Sequence, residues 1–137
     1  MLIDAGLNDF EDFSPVKPDV YEFVIKEPVE IMPIVDEQTD IGGRAYNFVI
    51  RPEIVGGEQA GKKVRRQFSN KTKATRYFLR SFLEKVGVTI NTGGGFTSED
   101  LLGRRFRAAV GERSYIDKND GTTKKASDLD TESIVAI

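Results

Sequence analysis

The chain has 137 residues, 39% hydrophobic and 31% charged, which suits one globular domain rather than a disordered or fibrous segment. It contains no Cys and no His, which removes disulfides, thiolate nucleophiles, cysteine zinc sites and the side chain most used as a general base. The net charge of −2 hides a polarity: residues 1–43 carry 2 basic and 11 acidic side chains, residues 44–125 carry 18 and 8, and residues 126–137 carry none and 3.

In chain order, residues 1–19 read as an acidic arm, in which Asp9, Glu11 and Asp12 alternate with Phe10 and Phe13 before Pro15 and Pro18 interrupt any regular element. The opening Met1-Leu2-Ile3-Asp4 lacks a basic region followed by an apolar stretch, so no secretory signal is expected. No apolar run approaches the length of a membrane helix, and no membrane association is expected. From Val20 the pattern has period two. Tyr21, Phe23 and Ile25 alternate with Glu22, Val24 and Lys26, predicting a strand that bends at Pro28 and continues to Pro33. Asp36 to Gly43 reads as a loop.

A second strand is expected from Arg44 to about Val55, with Tyr46, Phe48, Ile50 and Ile54 on one face; Pro52 marks an edge or bulge because it has no N–H to donate. Gly56 to Gly61 reads as a hairpin loop and Lys62 to Phe68 as a third strand, with Val64 and Phe68 inward, Lys63, Arg65 and Gln67 outward, and Arg66 inward near a barrel mouth. The period then changes to 3.6. Thr72 is placed to cap a helix to about Val86, with an apolar stripe of Phe78, Leu79, Phe82, Leu83 and Val86 and a terminating Gly87. Ser98 is a candidate cap for a short turn. A fourth strand from Arg104 to Gly111, extended to Ile116, turns Phe106, Ala108 and Val110 inward and Arg105 and Arg107 outward. Asp117 to Gly121 reads as a turn, and Thr122 to Ile137 as the segment holding a fifth strand. Three strands, a helix and two strands is the order of a five-stranded OB-fold-like barrel: mainly β, helix between strands three and four, residues 20–137 forming the domain behind the arm.

Three motifs give way to simpler readings. Gly56 to Lys63 approaches a phosphate-binding P-loop, but Lys63 stands where a magnesium-holding Ser or Thr belongs and a strand follows in place of a helix. Asp117-Lys118-Asn119-Asp120-Gly121 has its glycine fifth, whereas a calcium loop needs it sixth. Asp9, Glu11 and Asp12 read as a solvated run rather than a metal site. No metal or other cofactor is expected, and the missing His and Cys argue against catalysis.

The basic middle between acidic ends points to a polyanion-binding surface; the alternative is mutual neutralisation within the fold. The candidate binding cations are Arg44, Arg51, Lys63, Arg65, Arg105 and Arg107. Single-strand binders also need flat side chains on which bases stack, and Tyr46, Phe96 and Tyr115 are the candidates. Tyr46 shares parity with the core residues Phe48 and Ile50, whereas Phe96 and Tyr115 lie near loops.

The acidic aromatic N-terminus, Pro18-Asp19-Val20-Tyr21-Glu22-Phe23-Val24-Ile25, Gly61-Lys62-Lys63-Val64, Phe78-Leu79-Arg80-Ser81-Phe82-Leu83-Glu84-Lys85-Val86-Gly87 and Leu101-Leu102-Gly103-Arg104-Arg105-Phe106 together resemble a group of small phage-encoded proteins beside replication and recombination genes, thought to bind single-stranded DNA. The resemblance covers about residues 9–116, and the segment after Tyr115 departs from the group's pattern. It implies a single-stranded-DNA-binding protein of phage replication or recombination in the cytoplasm of an infected host, with replication or recombination proteins as partners and self-association as an option. It supplies no catalytic motif. The acidic arm is expected to compete with DNA for the basic face. The rival expectations are a phage structural or adaptor protein assembling through protein–protein contacts, and an enzyme using carboxylates and a metal.

Overall fold

The structure, a computed structural model, describes residues 16–137. The expected arm residues Asp9 to Phe13 lie outside that range. The first expected strand forms as two, β1 (Asp19–Val24) and β2 (Glu30–Gln38), which belong to different sheets. The break falls at Lys26–Val29, around Pro28. β2 runs into the expected loop as far as Gln38, with a register shift between Pro33 and Gln38 where Asp36 takes a left-handed φ of 59°.

The second expected strand is likewise divided into β3 (Arg44–Ile50) and β4 (Glu53–Ile54). β3 pairs with β2, whereas β4 pairs with β1 through Phe23↔Ile54, so the chain changes sheet at Arg51-Pro52. Pro52 suits that position: it has no N–H to place in a ladder, and its carbonyl accepts from the Val64 N–H at 3.1 Å. The glycine loop closes as a hairpin, with the Gly61 N–H donating to Ile54 at 3.0 Å and the Ile54 N–H to Lys62 at 2.9 Å. Lys63 makes an isolated bridge to Glu53, and regular pairing resumes only in β5 (Arg66–Ser69), shorter than the third strand the sequence predicts.

The helix α1 (Lys73–Lys85) forms as its sequence predicts. The Thr72 hydroxyl accepts from the Thr75 N–H at 3.1 Å and Thr75 Oγ1 accepts from the Thr72 N–H at 2.9 Å, a reciprocal cap that satisfies two free amides. Gly87, at φ 84°, ends it in the left-handed region that glycine adopts without strain. Phe82, Leu83 and Val86 are buried; Phe78, expected in the same stripe, is exposed. A 3-10 turn follows at Ser98–Leu101, with Thr97 rather than Ser98 at the cap position and no side-chain capping bond.

β6 (Arg105–Ile116) is the longest strand and organises the larger sheet. Its first half pairs with β1, and its second half pairs with β7 (Thr123–Leu129). β8 (Val135–Ala136) returns to β6 beside Arg107. A 3-10 turn at Thr131–Ser133 separates β7 from β8, and Ser133 Oγ accepts from the Ala109 N–H at 2.8 Å, so the backbone beside the interruption stays paired. Leu129 and Ile134 are buried, so the C-terminal segment packs as part of the sheet.

The two sheets, ordered β4-β1-β6-β7 with β8 on β6, and β2-β3-β5, are joined by the bends between β1 and β2 and between β3 and β4. The result is mainly β with one helix, a strongly curled half-barrel. It corrects the expected closed five-stranded barrel: among the described residues no ladder joins β5 to β7. Regular pairing in β5 is only 4 residues long, and the Val16 N–H meets β7 at Ser127 Oγ, 2.6 Å away. The helix follows β5, the fifth strand segment, because the bends at Pro28 and Pro52 divide the first two expected strands. Val16, inside the span expected to be arm, is 2% exposed and belongs to the core. The core is tied together by a chain of rings: Phe23 stacks on Phe106 at 5.3 Å, Phe106 meets Phe82 edge-on at 5.9 Å, and Phe82 stacks on Phe68 at 4.9 Å. This chain fixes α1 and both sheets relative to one another. Among the described residues, no helix is long and apolar enough to cross a membrane.

Candidate nucleic-acid interface

The charge polarity of the sequence is partly neutralised within the fold. Carboxylates on the β1–β2 connection, on β2 and just beyond it face cations of the middle: Glu27 pairs with Lys63, Glu30 with Arg51 at 2.8 Å, Glu37 with Lys71 at 3.0 Å and Asp40 with Arg76 at 2.6 Å. Hydrogen bonding from Arg76 holds the Asp40 carboxyl below its ordinary range. Two candidate cations, Arg51 and Lys63, therefore already carry a carboxylate partner.

Other cations are placed differently. Among the described residues, Arg65 bonds the neutral Gln67 amide at 3.0 Å, and Arg105, Arg107 and Arg113 have no carboxylate within ion-pair distance. The lack of a ladder between β5 and β7 leaves an open groove of ≈ 450 Å³. Lys63, Val64 and Arg65 line it together with Arg113 and Tyr115 of β6 and Ala126 and Ser127 of β7. Tyr115 is 41% exposed, with the Arg113 guanidinium 6.0 Å from its ring centre, so the groove offers a flat aromatic face backed by a cation. Sequence reasoning did not select Arg113. The signal was the period-two face that begins at Arg105 and Arg107 and reaches Arg113 and Tyr115 when carried through Gly111. At about 3.3 Å per residue that face runs about 33 Å from Arg105 to Tyr115.

The remaining candidates are not gathered at the groove. Arg44 and Tyr46 stand at the start of β3, with the guanidinium 5.9 Å from the ring centre. Arg44 lines a different open depression with Asp36, Glu37 and Gln38, a setting that repels phosphate. Tyr46 is half-buried and tilts against Phe48 at 6.3 Å. Phe96, expected near the surface, is half-buried and packs on Phe48 at 5.9 Å. Arg66 is also half-buried, its guanidinium 5.1 Å from the Phe68 ring centre and its Nε buried with no acceptor, where the sequence placed it at a wet barrel mouth.

At the end of the β6–β7 hairpin, the Asp117–Gly121 turn holds Lys124 Nζ 2.5 Å from Asp117 and 3.3 Å from Asp120. Hydrogen bonds from Lys124 to Asp117, and from Thr122 to Asp120, pull both carboxyls below their ordinary range. Among the described residues, no group of three or more acidic side chains is arranged to hold a metal ion. Neither a protein-family model nor a curated protein matches this chain.

Proposed function

We propose that the chain binds single-stranded DNA, with phosphates following the outward face of β6 and bases stacking in the groove at Tyr115. The observation that carries this reading is the meeting of Arg65, Arg113 and exposed Tyr115 at one open groove, continued along β6 by Arg107 and Arg105. Cations without carboxylate partners are the ones that gain most from phosphate, and an exposed ring supplies stacking worth about 1–3 kcal/mol per base. The strand order supports an open OB-like barrel: a first strand shared between sheets, a helix after the glycine hairpin and its strand, and a long hairpin beside the groove. Together with the resemblance to phage single-strand binders, this suggests a role in phage replication or recombination in the host cytoplasm, beside other proteins of those processes. The test is fluorescence anisotropy with a labelled 30-nucleotide strand and its duplex at low and moderate salt. Salt-sensitive binding that favours the single strand is expected; equal binding of both forms, or none at low salt, overturns the proposal.

A second reading, an adaptor or particle protein that assembles with itself or another chain, is favoured by a separate observation. Ile41 and Tyr77 are 77% and 67% exposed, and the Asp40 bonds to Lys73 and Arg76 hold the β2–β3 turn against the start of α1. It predicts a concentration-dependent mass in light scattering that Ile41→Ser with Tyr77→Ser abolishes; a constant monomer mass rejects self-assembly.

A further inference from the structure

A second surface, which shares no lining residue with the groove, carries charges that the fold leaves unpaired. Asp36 and Arg44, both exposed, line one open depression with Glu37 and Gln38. Glu37 is paired with Lys71 at 3.0 Å. Among the described residues, neither Asp36 nor Arg44 has an opposite charge within ion-pair distance. The Arg44 guanidinium lies over the Tyr46 ring instead, 5.9 Å from its centre. Aliphatic side chains flank the two charges: Val35, beside Asp36, is 78% exposed, and Ile41, in the turn closed by the Gln38↔Arg44 pair, is 77% exposed. Unpaired charges of both signs beside exposed aliphatic residues are the chemistry of a protein–protein contact.

The outer edge of β2 is a poor place to add a strand. Tyr46 turns its N–H to Asn70 Oδ1 at 2.7 Å and accepts from the Asn70 N–H at 3.3 Å, so both of its backbone groups face away from β2. Its register partner Pro33 is therefore in a non-hydrogen-bonded pair, and the Pro33 nitrogen lies at the outer edge with no proton to donate. A partner must engage side chains rather than the strand edge. One cation and one anion in a single patch complement themselves under a two-fold rotation, because each copy offers what the other lacks. We infer that this face joins two copies of the chain in an isologous dimer, with Asp36 of each copy paired to Arg44 of the other and Val35 and Ile41 packed around the two ion pairs. This rests on the self-assembly reading and adds to it the surface, the partner and the symmetry. An isologous contact occupies the same patch on both copies, so assembly stops at two instead of building an array.

Sedimentation velocity of the full chain, from micromolar to millimolar concentration, tests this with two charge reversals. The chain itself should move from monomer to dimer and no further. Asp36→Lys alone and Arg44→Glu alone should each weaken the dimer about 100-fold, since both attractive contacts become repulsive. An equal mixture of the two variants should dimerise again, because the new lysine then meets the new glutamate while the native Arg44 of one copy meets the native Asp36 of the other. That recovery also shows that both variants are folded. The milder Asp36→Asn and Arg44→Gln, the first of which suits the left-handed φ of 59° at this position, should each weaken the dimer about 10-fold. A dimer that tolerates these substitutions, variants that stay monomeric when mixed, or a mass that grows beyond two copies overturns the inference and leaves assembly through Ile41 and Tyr77 standing. A chain that stays monomeric throughout overturns the inference and the self-assembly reading together.

Discussion

Removing the two groove cations that lack carboxylate partners should change the salt dependence of DNA binding by a calculable amount. Arg65, Arg105, Arg107, Arg113 and Lys63 are the cations of the groove and the β6 face. Single-strand affinity falls with salt at a logarithmic slope of about −0.7 per phosphate contact, so five contacts give about −3.5 and a loss of about 100-fold between 50 and 200 mM salt. Arg65→Gln with Arg113→Gln leaves three contacts, a slope of about −2.1 and a loss of only about 20-fold over the same range. At 100 mM salt the double variant should bind about 25-fold more weakly. The control is Lys71→Gln with Arg80→Gln, which removes the same charge from residues paired with Glu37 at 3.0 Å and Glu84 at 2.9 Å. Titrations by fluorescence anisotropy at four salt concentrations measure both slopes. Equal slopes for the two double variants would show that net charge, not the groove, drives binding.

Other consequences follow from the same contacts. Tyr115→Ala should weaken single-strand binding by about 1–3 kcal/mol with the salt slope unchanged, which separates stacking from charge in the same titration. Phe82 is 1% exposed and bridges Phe68 and Phe106, so Phe82→Ala should cost about 3–5 kcal/mol in a urea titration, whereas Tyr77→Ala on the same helix should cost under about 0.5 kcal/mol. Thr72→Ala, which removes the hydroxyl that accepts from the Thr75 N–H, should cost about 0.5–2 kcal/mol. The Asp117 and Asp120 carboxyls are depressed in the folded state, so the support they give the hairpin is complete above the ordinary carboxylate range and is lost as pH falls through their lowered values. Amide exchange at Asn119 and Thr122 should accelerate on acidification before the core opens, and Asp117→Asn should remove much of that pH dependence.

The helix was legible in the sequence because its signals are local: Thr72 before the apolar period, Gly87 after it, and ring positions spaced for one face. The burial of Phe23, Phe68 and Phe106 was legible for the same reason, as strand parity fixes it. The division of strands between sheets was not, because a proline states only that a ladder bond is missing and not which sheet the chain joins next. Pro28 and Pro52 both marked bends, and pairing partners far along the chain decided where those bends led. Barrel closure depends on β5 meeting β7, a long-range contact with no local signature. The groove lies at the open edge there, so Arg113 became visible as a lining residue only with the topology in hand. Tyr46 packs on Phe48 of its own strand, as their shared parity suggested, whereas the burial of Phe96 against Phe48, a contact between a strand and a distant loop, had no local signal. Of the two readings of the charge polarity, neutralisation within the fold accounts for part of it. Glu27, Glu30, Glu37 and Asp40 neutralise one set of cations, while Arg65, Arg105, Arg107 and Arg113 stay outside those pairs.

The most direct measurement is photochemical cross-linking of a strand carrying 5-iodouracil to the full chain, with the attached residue identified by mass spectrometry. Four tyrosines compete for the probe: Tyr21, Tyr46, Tyr77 and Tyr115. Attachment concentrated at Tyr115, reduced by Arg65→Gln with Arg113→Gln, is the predicted result. A bound strand that attaches instead at Tyr46 or Tyr77 would contradict the groove as the binding site.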